Sequence, residues 1–179
     1  AVGAPTPDGP SSQPPARFDS ETLRDYLDSD QRELRDDVLG LLGEPPLLIA
    51  LGLGKDEYRE RVLDAVRFLA ERGLGSTAFP REYGGQDDPG ASLAIFESLA
   101  FGDLSVLIKF GVQFGLFGGS VHQLGTERHH SAYLDAIGRL ELPGCYAMTE
   151  TGHGSNVRDL ETTATYDDRT GEIVIDTPT

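Results

Sequence analysis

The densest chemistry in the chain lies in Thr149-Glu150-Thr151-Gly152-His153-Gly154-Ser155-Asn156, reached through Gly144-Cys145-Tyr146-Ala147-Met148. Three hydroxyls, an amide, a carboxylate and two glycines fall within eight residues. Gly152 and Gly154 allow the backbone to come close to a ligand and to turn successive N–H groups toward an anion. Hydroxyl and N–H donors held in place suit a redox ring that gains negative charge on reduction. By residue type alone the run is a donor-rich binding loop, and most Gly/Ser/Thr stretches are only connecting loops.

Other reactive side chains are less promising. His122, His129, His130 and His153 with Cys145 lack the spacing of a zinc site, and the adjacent His129 and His130 point to different sides of a helix. No metal site is read from them. Cys145, the sole cysteine, sits in an apolar run that reads as a strand, where a thiol is a small buried hydrophobe rather than a nucleophile. The series Phe101, Phe110, Phe114 and Phe117 has helical spacing, which indicates core. The charge is −15, from 30 acids against 15 bases. Such a surface repels phosphate backbones, which argues against nucleic-acid binding, and a polyanionic ligand needs local positive groups. The acidic run Asp25–Asp37 reads as a solvated helix face.

These residues need a scaffold. Residues 1–17 are rich in Pro, Gly and Ser, carry no signal-peptide pattern and read as a disordered arm. A helix capped by Asp19 or Ser20 runs to Leu42 and stops at Gly43 and Pro45-Pro46. A second spans Asp56 to about Arg72, ending in a basic turn and Gly73. Phe79-Pro80-Arg81-Glu82-Tyr83-Gly84-Gly85 is a rigid turn. A helix from Ala91 to Phe101 places Leu93, Ile95, Phe96, Leu99 and Ala100 inward. Leu104–Leu124 reads as a buried or bent helix; Lys109, Gln113 and His122 interrupt it, so no uninterrupted apolar run reaches the roughly 18 residues of a membrane span. Thr126 caps a last helix to about Leu140, with Tyr133, Leu134 and Ile137 inward. Five helices in sequence indicate a bundle. From Pro143 the texture turns to strand: Cys145–Met148, then a hairpin of Thr162–Tyr166 with Glu172–Asp176. A lone hairpin cannot bury its faces, so the chain reads as stopping inside a larger β-domain.

The run Cys145-Tyr146-Ala147-Met148-Thr149-Glu150-Thr151-Gly152-His153-Gly154-Ser155-Asn156 resembles the flavin-binding signature of the acyl-CoA dehydrogenase superfamily. Its Gly-His-Gly-Ser-Asn ending is similar to the acyl-CoA oxidase branch; ordinary dehydrogenases more often carry Gly-Ala-Gly-Ser-Asp. Pro80-Arg81-Glu82-Tyr83-Gly84-Gly85, Leu124-Gly125-Thr126-Glu127 with Tyr133-Leu134, and the strand pair from Glu161 to Pro178 resemble three further family segments in the same order. Together they cover roughly residues 34–179.

The resemblance implies a mainly α fold: a helical bundle over 18–143, then the first strands of a central flavin-binding β-domain over 144–179, with the remainder missing. It implies FAD as cofactor, with Thr149 bonding the flavin ring and the backbone of Met148 and Glu150 beside it. Ser155 lies near cofactor and CoA, Gly154 and Ser155 near substrate, and Phe114 on the helix flanking the acyl chain. His153 has no assigned role. The catalytic glutamate is expected beyond Thr179, so the 179 residues alone are expected to be inactive, and Glu150 is not that base. The implied reaction is oxidation of a fatty acyl-CoA to a trans-2-enoyl-CoA, with O2 reoxidising the flavin to give hydrogen peroxide. The alternatives are a dehydrogenase passing electrons to an electron-transfer protein, and a truncated non-catalytic binding module. A homo-oligomer is implied for the complete protein. The Ala/Gly/Arg/Asp-rich style points to a bacterial cytoplasm; in a eukaryote the resemblance implies the peroxisome.

Overall fold

Helices begin where short polar side chains take up the free N–H groups of the first turn. The computed structural model describes residues 18–177, so the expected arm 1–17 and the last two residues lie outside the described residues. Asp19 accepts the Glu21 N–H at 3.1 Å and opens α1 (Ser20–Asp28). The single helix expected up to Leu42 is in fact two, because a 3-10 turn at Ser29–Gln31, with Ser29 at φ 49, separates α1 from α2 (Arg32–Leu41). The acidic run is not merely solvated. Asp28 pairs with Arg24 within α1 (3.1 Å), while Asp28 with Arg35 (3.4 Å) and Glu21 with Arg32 (2.8 Å) tie α1, which buries no residue, to α2.

In α3 (Lys55–Glu71) Val62, Ala65, Val66, Leu69 and Ala70 form one buried stripe. The expected stop is present: Arg72 lies over the Phe68 ring, donates to the Phe68 carbonyl at 3.1 Å, and Gly73 takes φ 73. The turn that follows folds back on itself. Asp87 N–H donates to the Phe79 carbonyl and Asp88 N–H to the Thr77 carbonyl, both at 2.8 Å. Asp88 then caps α4 (Pro89–Leu99) by accepting the Ala91 N–H at 2.8 Å, with Pro89 in the first turn, where its missing N–H costs nothing.

The buried face of α4 is Ala91, Ala94, Ile95, Ser98 and Leu99. Leu93 and Phe96, which the apolar spacing directs inward, are 66% and 38% exposed, and Phe101 is 78% exposed beyond the helix end. The reason is that α4 is apolar almost all round, so spacing alone does not choose its core face.

Helix α5 (Leu104–Phe110) runs without a break through a π-helical stretch (Gly111–Gly118) into α6 (Gly119–Leu124). This 21-residue rod is, contrary to the expectation above, long and apolar enough to cross a membrane by length and composition. Its face of Val106, Leu107, Phe110 and Phe114 packs into the main core with α2, α3 and α4. Thr126 and His129 form a capping box that opens α7 (Glu127–Gly138). Leu134 and Ile137 are fully buried against Phe79 in a second, smaller core. Tyr133, also expected inward, is 45% exposed, tilted against the His129 ring.

Gly75 lies against the rod: a Cβ there comes 2.5 Å from Phe114 Cε1. Gly75→Ala is therefore expected to displace the Phe114 ring and to cost about 1–3 kcal/mol as overpacking. A melting temperature unchanged from wild type counts against this packing.

The hairpin is as expected. Strands β1 (Thr163–Asp167) and β2 (Glu172–Asp176) pair antiparallel with Thr165 opposite Val174, and Gly171 turns the chain at φ 72. Both faces are open, with Tyr166, Ile173 and Ile175 exposed. Cys145–Met148, by contrast, is not a strand and Cys145 is exposed. The segment has the composition of a strand, but no neighbouring strand among the described residues offers it a ladder of hydrogen bonds.

Candidate functional site: a glutamate-tied loop beside an apolar groove

The loop after Met148 is organised by Glu150. Its carboxylate accepts the Glu161 N–H at 2.8 Å, the Thr162 N–H at 2.9 Å and the Thr162 hydroxyl at 2.5 Å. His153 Nε2 lies 3.0 Å from the same group, and His153 N–H donates to the Glu150 carbonyl at 3.3 Å, closing the turn. The Glu150 side chain is only 7% exposed. Donation first from the Glu161 N–H, then from Thr162 and His153, holds its carboxyl far below the usual range, at about 2. At neutral pH the group is a weakly basic anion whose oxygens are already taken by these donors, which suits a structural tie rather than a general base. Glu150 joins the turn at 150–153 to the root of β1, eleven residues on.

This also gives His153 a physical role that residue types alone do not supply: it is a second pin on the Glu150 carboxylate. The clue was its position three residues after Glu150, with a glycine on either side. With the turn held from within, Met148, Thr149 and Ser155 are exposed on it. Neither Gly152 nor Gly154 has an atom within 4 Å of where a Cβ would stand, and neither takes a positive φ. Nothing in the packing of this chain requires glycine there. Exposed hydroxyls beside glycine backbone with open space around it fit a flat, electron-accepting ring or a phosphate chain.

Phe114 is elsewhere, on the π-helical stretch. It is 5% exposed, packs edge-on against Phe110 with ring centroids 4.8 Å apart, and contributes to the floor of an apolar groove of about 580 Å3. Leu93, Phe96, Ile108, Val112 and Leu116 line the rest. Leu93 and Phe96, displaced from the expected core, are therefore part of the groove wall. Such a groove suits an alkyl chain. None of residues 148–155 lines it, so the structure does not bring Phe114 into one cavity with the loop residues.

The link between rod and loop is Gln113, which in the sequence is no more than a polar interruption of an apolar helix. It is 5% exposed; its Nε2 donates to the Leu142 carbonyl at 3.0 Å and the Ile137 carbonyl at 3.3 Å, and its Oε1 accepts the Gly144 N–H at 2.8 Å. An amide set between apolar neighbours at the middle of a 21-residue apolar run was the available signal. Among the described residues no group of three or more His, Cys, Asp or Glu is placed to hold a metal.

Residues 28–141 match the family described as acyl-CoA dehydrogenase, N-terminal domain. The chain is 38% identical over 160 residues to the peroxisomal acyl-coenzyme A oxidase 2 of Arabidopsis thaliana, covering 88% of this chain and 22% of that protein. It is 35% identical over 173 residues to the peroxisomal acyl-coenzyme A oxidase 3 of the same plant, covering 90% and 25%. The crystal structure of acyl-CoA oxidase 1 from Yarrowia lipolytica superposes with a TM-score of 0.69 at 25% identity, over 87% of this chain and 22% of that one. An acyl-CoA dehydrogenase of Bacillus anthracis, solved with FAD, shares the fold at a TM-score of 0.56 and 22% identity, over 90% and 26%. The chain thus spans about a quarter or less of the length of these relatives.

Proposed function

The chain belongs to the acyl-CoA dehydrogenase family through its N-terminal domain, and from there we propose that its full polypeptide is an FAD-dependent acyl-CoA oxidase. It converts a fatty acyl-CoA to the trans-2-enoyl-CoA and returns the electrons to O2 as hydrogen peroxide. The observation that carries the reading is the Glu150-tied turn, in which the oxidase-type His153 is a working part while Thr149 is left facing outward.

The bound FAD would supply the ring that takes a hydride from the substrate β-carbon. The chain's own residues bind and orient. Thr149 directs its hydroxyl to the ring, the backbone of Met148 and Glu150 flanks it, and Gly154 and Ser155 face the CoA side. Phe114 and the groove around it take the acyl chain and keep water from it. The α-proton goes to a glutamate base, a role not given to Glu150, whose carboxylate is already committed to Glu161, Thr162 and His153. In this reading residues 18–143 are the N-terminal helical domain and 144–179 open the central β-domain. The complete enzyme is a homo-oligomer, placed in the peroxisome if the source is eukaryotic and in the cytoplasm if bacterial.

The test is hydrogen peroxide released in air by the full polypeptide on adding a long-chain acyl-CoA, with no dye acceptor. Peroxide equal to the 2-enoyl-CoA formed supports the oxidase. Flavin bleaching without peroxide makes the protein a dehydrogenase with a separate electron acceptor. If flavin is absent and no turnover occurs, the protein is a binding module. In the active enzyme Thr149→Val is expected to slow flavin reduction by about 100-fold, the usual loss when one preorganised donor is removed. A rate within twofold of wild type removes Thr149 from the site.

A further inference from the structure

We propose that Gln113 is a positioning residue that sets where Thr149 stands, and so links the acyl groove to the flavin-facing turn; this rests on the function proposed above. The end of α7 and the chain after it present two carbonyls, Ile137 and Leu142, and one N–H, Gly144, to the buried Gln113 amide. A primary amide is matched to that set, with two donors and an acceptor on one planar group. Gln113 makes all three bonds. A carboxylate lacks the donors, an ammonium lacks the acceptor, and leucine has neither.

The seat is tight. A Cβ on Gly144 would fall 2.1 Å from Phe117 Cδ1, so the chain passes directly across the rod at this residue. Thr149 follows five residues later, with no strand pairing between to fix it independently. Gln113 and the Glu150 carboxylate therefore hold the two ends of the segment that carries Thr149.

The other half of the link is the rod itself. Val112 and Phe114, the neighbours of Gln113, line the groove from the π-helical stretch. A π segment bonds i to i+5 and is a common feature of functional sites. Here its winding sends Gln113 toward the Gly144 side while Val112 and Phe114 reach the groove. An acyl chain seated in the groove presses on the same turn that anchors the flavin-facing segment.

The experiment is a double-mutant cycle on the flavin-loaded full polypeptide, with Gln113→Leu, Thr149→Val and both together. The readouts are the rate of flavin reduction by acyl-CoA and the visible flavin spectrum. Gln113→Leu is expected to slow reduction by about 100-fold, as misplacement of roughly an ångström does. It should also shift the flavin band in the direction that Thr149→Val does. The double variant should be about as slow as either single one, because the second change removes a contact already lost. Effects that multiply, or a Gln113→Leu enzyme with an unshifted spectrum, overturn the proposal and leave Gln113 a core residue. If Gln113→Leu does not fold, Gln113→Glu keeps the acceptor for Gly144 while losing both donors, and the same cycle decides. Wild-type protein that takes up no flavin sinks the proposed function first, a result distinct from multiplying effects in a working flavoenzyme.

Discussion

Gly85→Ala is expected to lower the stability of the protein by at least about 3 kcal/mol, at the upper end of overpacking effects. A Cβ at residue 85 would lie 2.0 Å from the Phe79 carbonyl oxygen and 2.4 Å from its carbonyl carbon. These are backbone atoms, so no rotamer change relieves the contact. That same carbonyl accepts the Asp87 N–H, and the next bond, from Asp88 to Thr77, sets the cap of α4. Opening the turn therefore moves Phe79, 2% exposed in the smaller core, together with the start of a core helix. For a chain of this size a melting temperature lower by about 10 °C is expected. Gly40→Ala supplies the contrast. Gly40 lies inside α2 with nothing within 4 Å of its Cβ position, so alanine there should add about 0.5–1 kcal/mol through helix propensity. Calorimetry of the two variants checks both signs, and a Gly85→Ala protein that melts with wild type refutes the close approach.

Glu150→Ala is expected to release the turn at 150–153 from the root of β1. It leaves the Glu161 and Thr162 N–H groups without their acceptor and His153 without its partner. The Thr162 amide should then exchange its hydrogen more than about tenfold faster, the minimum expected when a bond to a charged acceptor is lost, and flavin binding should weaken with it. The pH dependence has a definite sign. The folded carboxyl titrates at about 2 against an ordinary value of 4.5. A lowered value means that the anion stabilises the folded loop. That contribution is complete above about pH 4.5 and fades as the pH falls through the folded value near 2. Carbon-13 NMR of the Glu150 carboxyl should show a midpoint near 2, and a midpoint at the ordinary value would mean the loop is not tied as described.

Much of the scaffold was legible from local chemistry. Asp19 and Thr126 cap helices where expected, Gly73 ends α3, and Gly171 turns a hairpin whose alternation was plain. Each of these features depends on residues within a few positions of one another, which is why sequence carries them. The turn at Ser29 was not legible, because α1 and α2 have compatible spacing and the break adds no Gly or Pro.

The candidate site divides the same way. The order and types of Met148 to Asn156, with Phe114 upstream, pointed to a flavin-family loop and an acyl-flanking helix. Sequence also set Glu150 apart from the base by its place in that motif. Only the tertiary structure showed what Glu150 and His153 do, since the partners Glu161 and Thr162 are supplied by the start of the hairpin. Only it turned Leu93 and Phe96 from expected core into groove wall, left Cys145 at the surface, and gave Gln113 three backbone partners from the end of α7. Periodicity says which side chains share a face; it does not say which face meets a neighbour. That choice is made by residues far apart in the chain, and in the Leu104–Leu124 rod the π-helical winding changes the period itself.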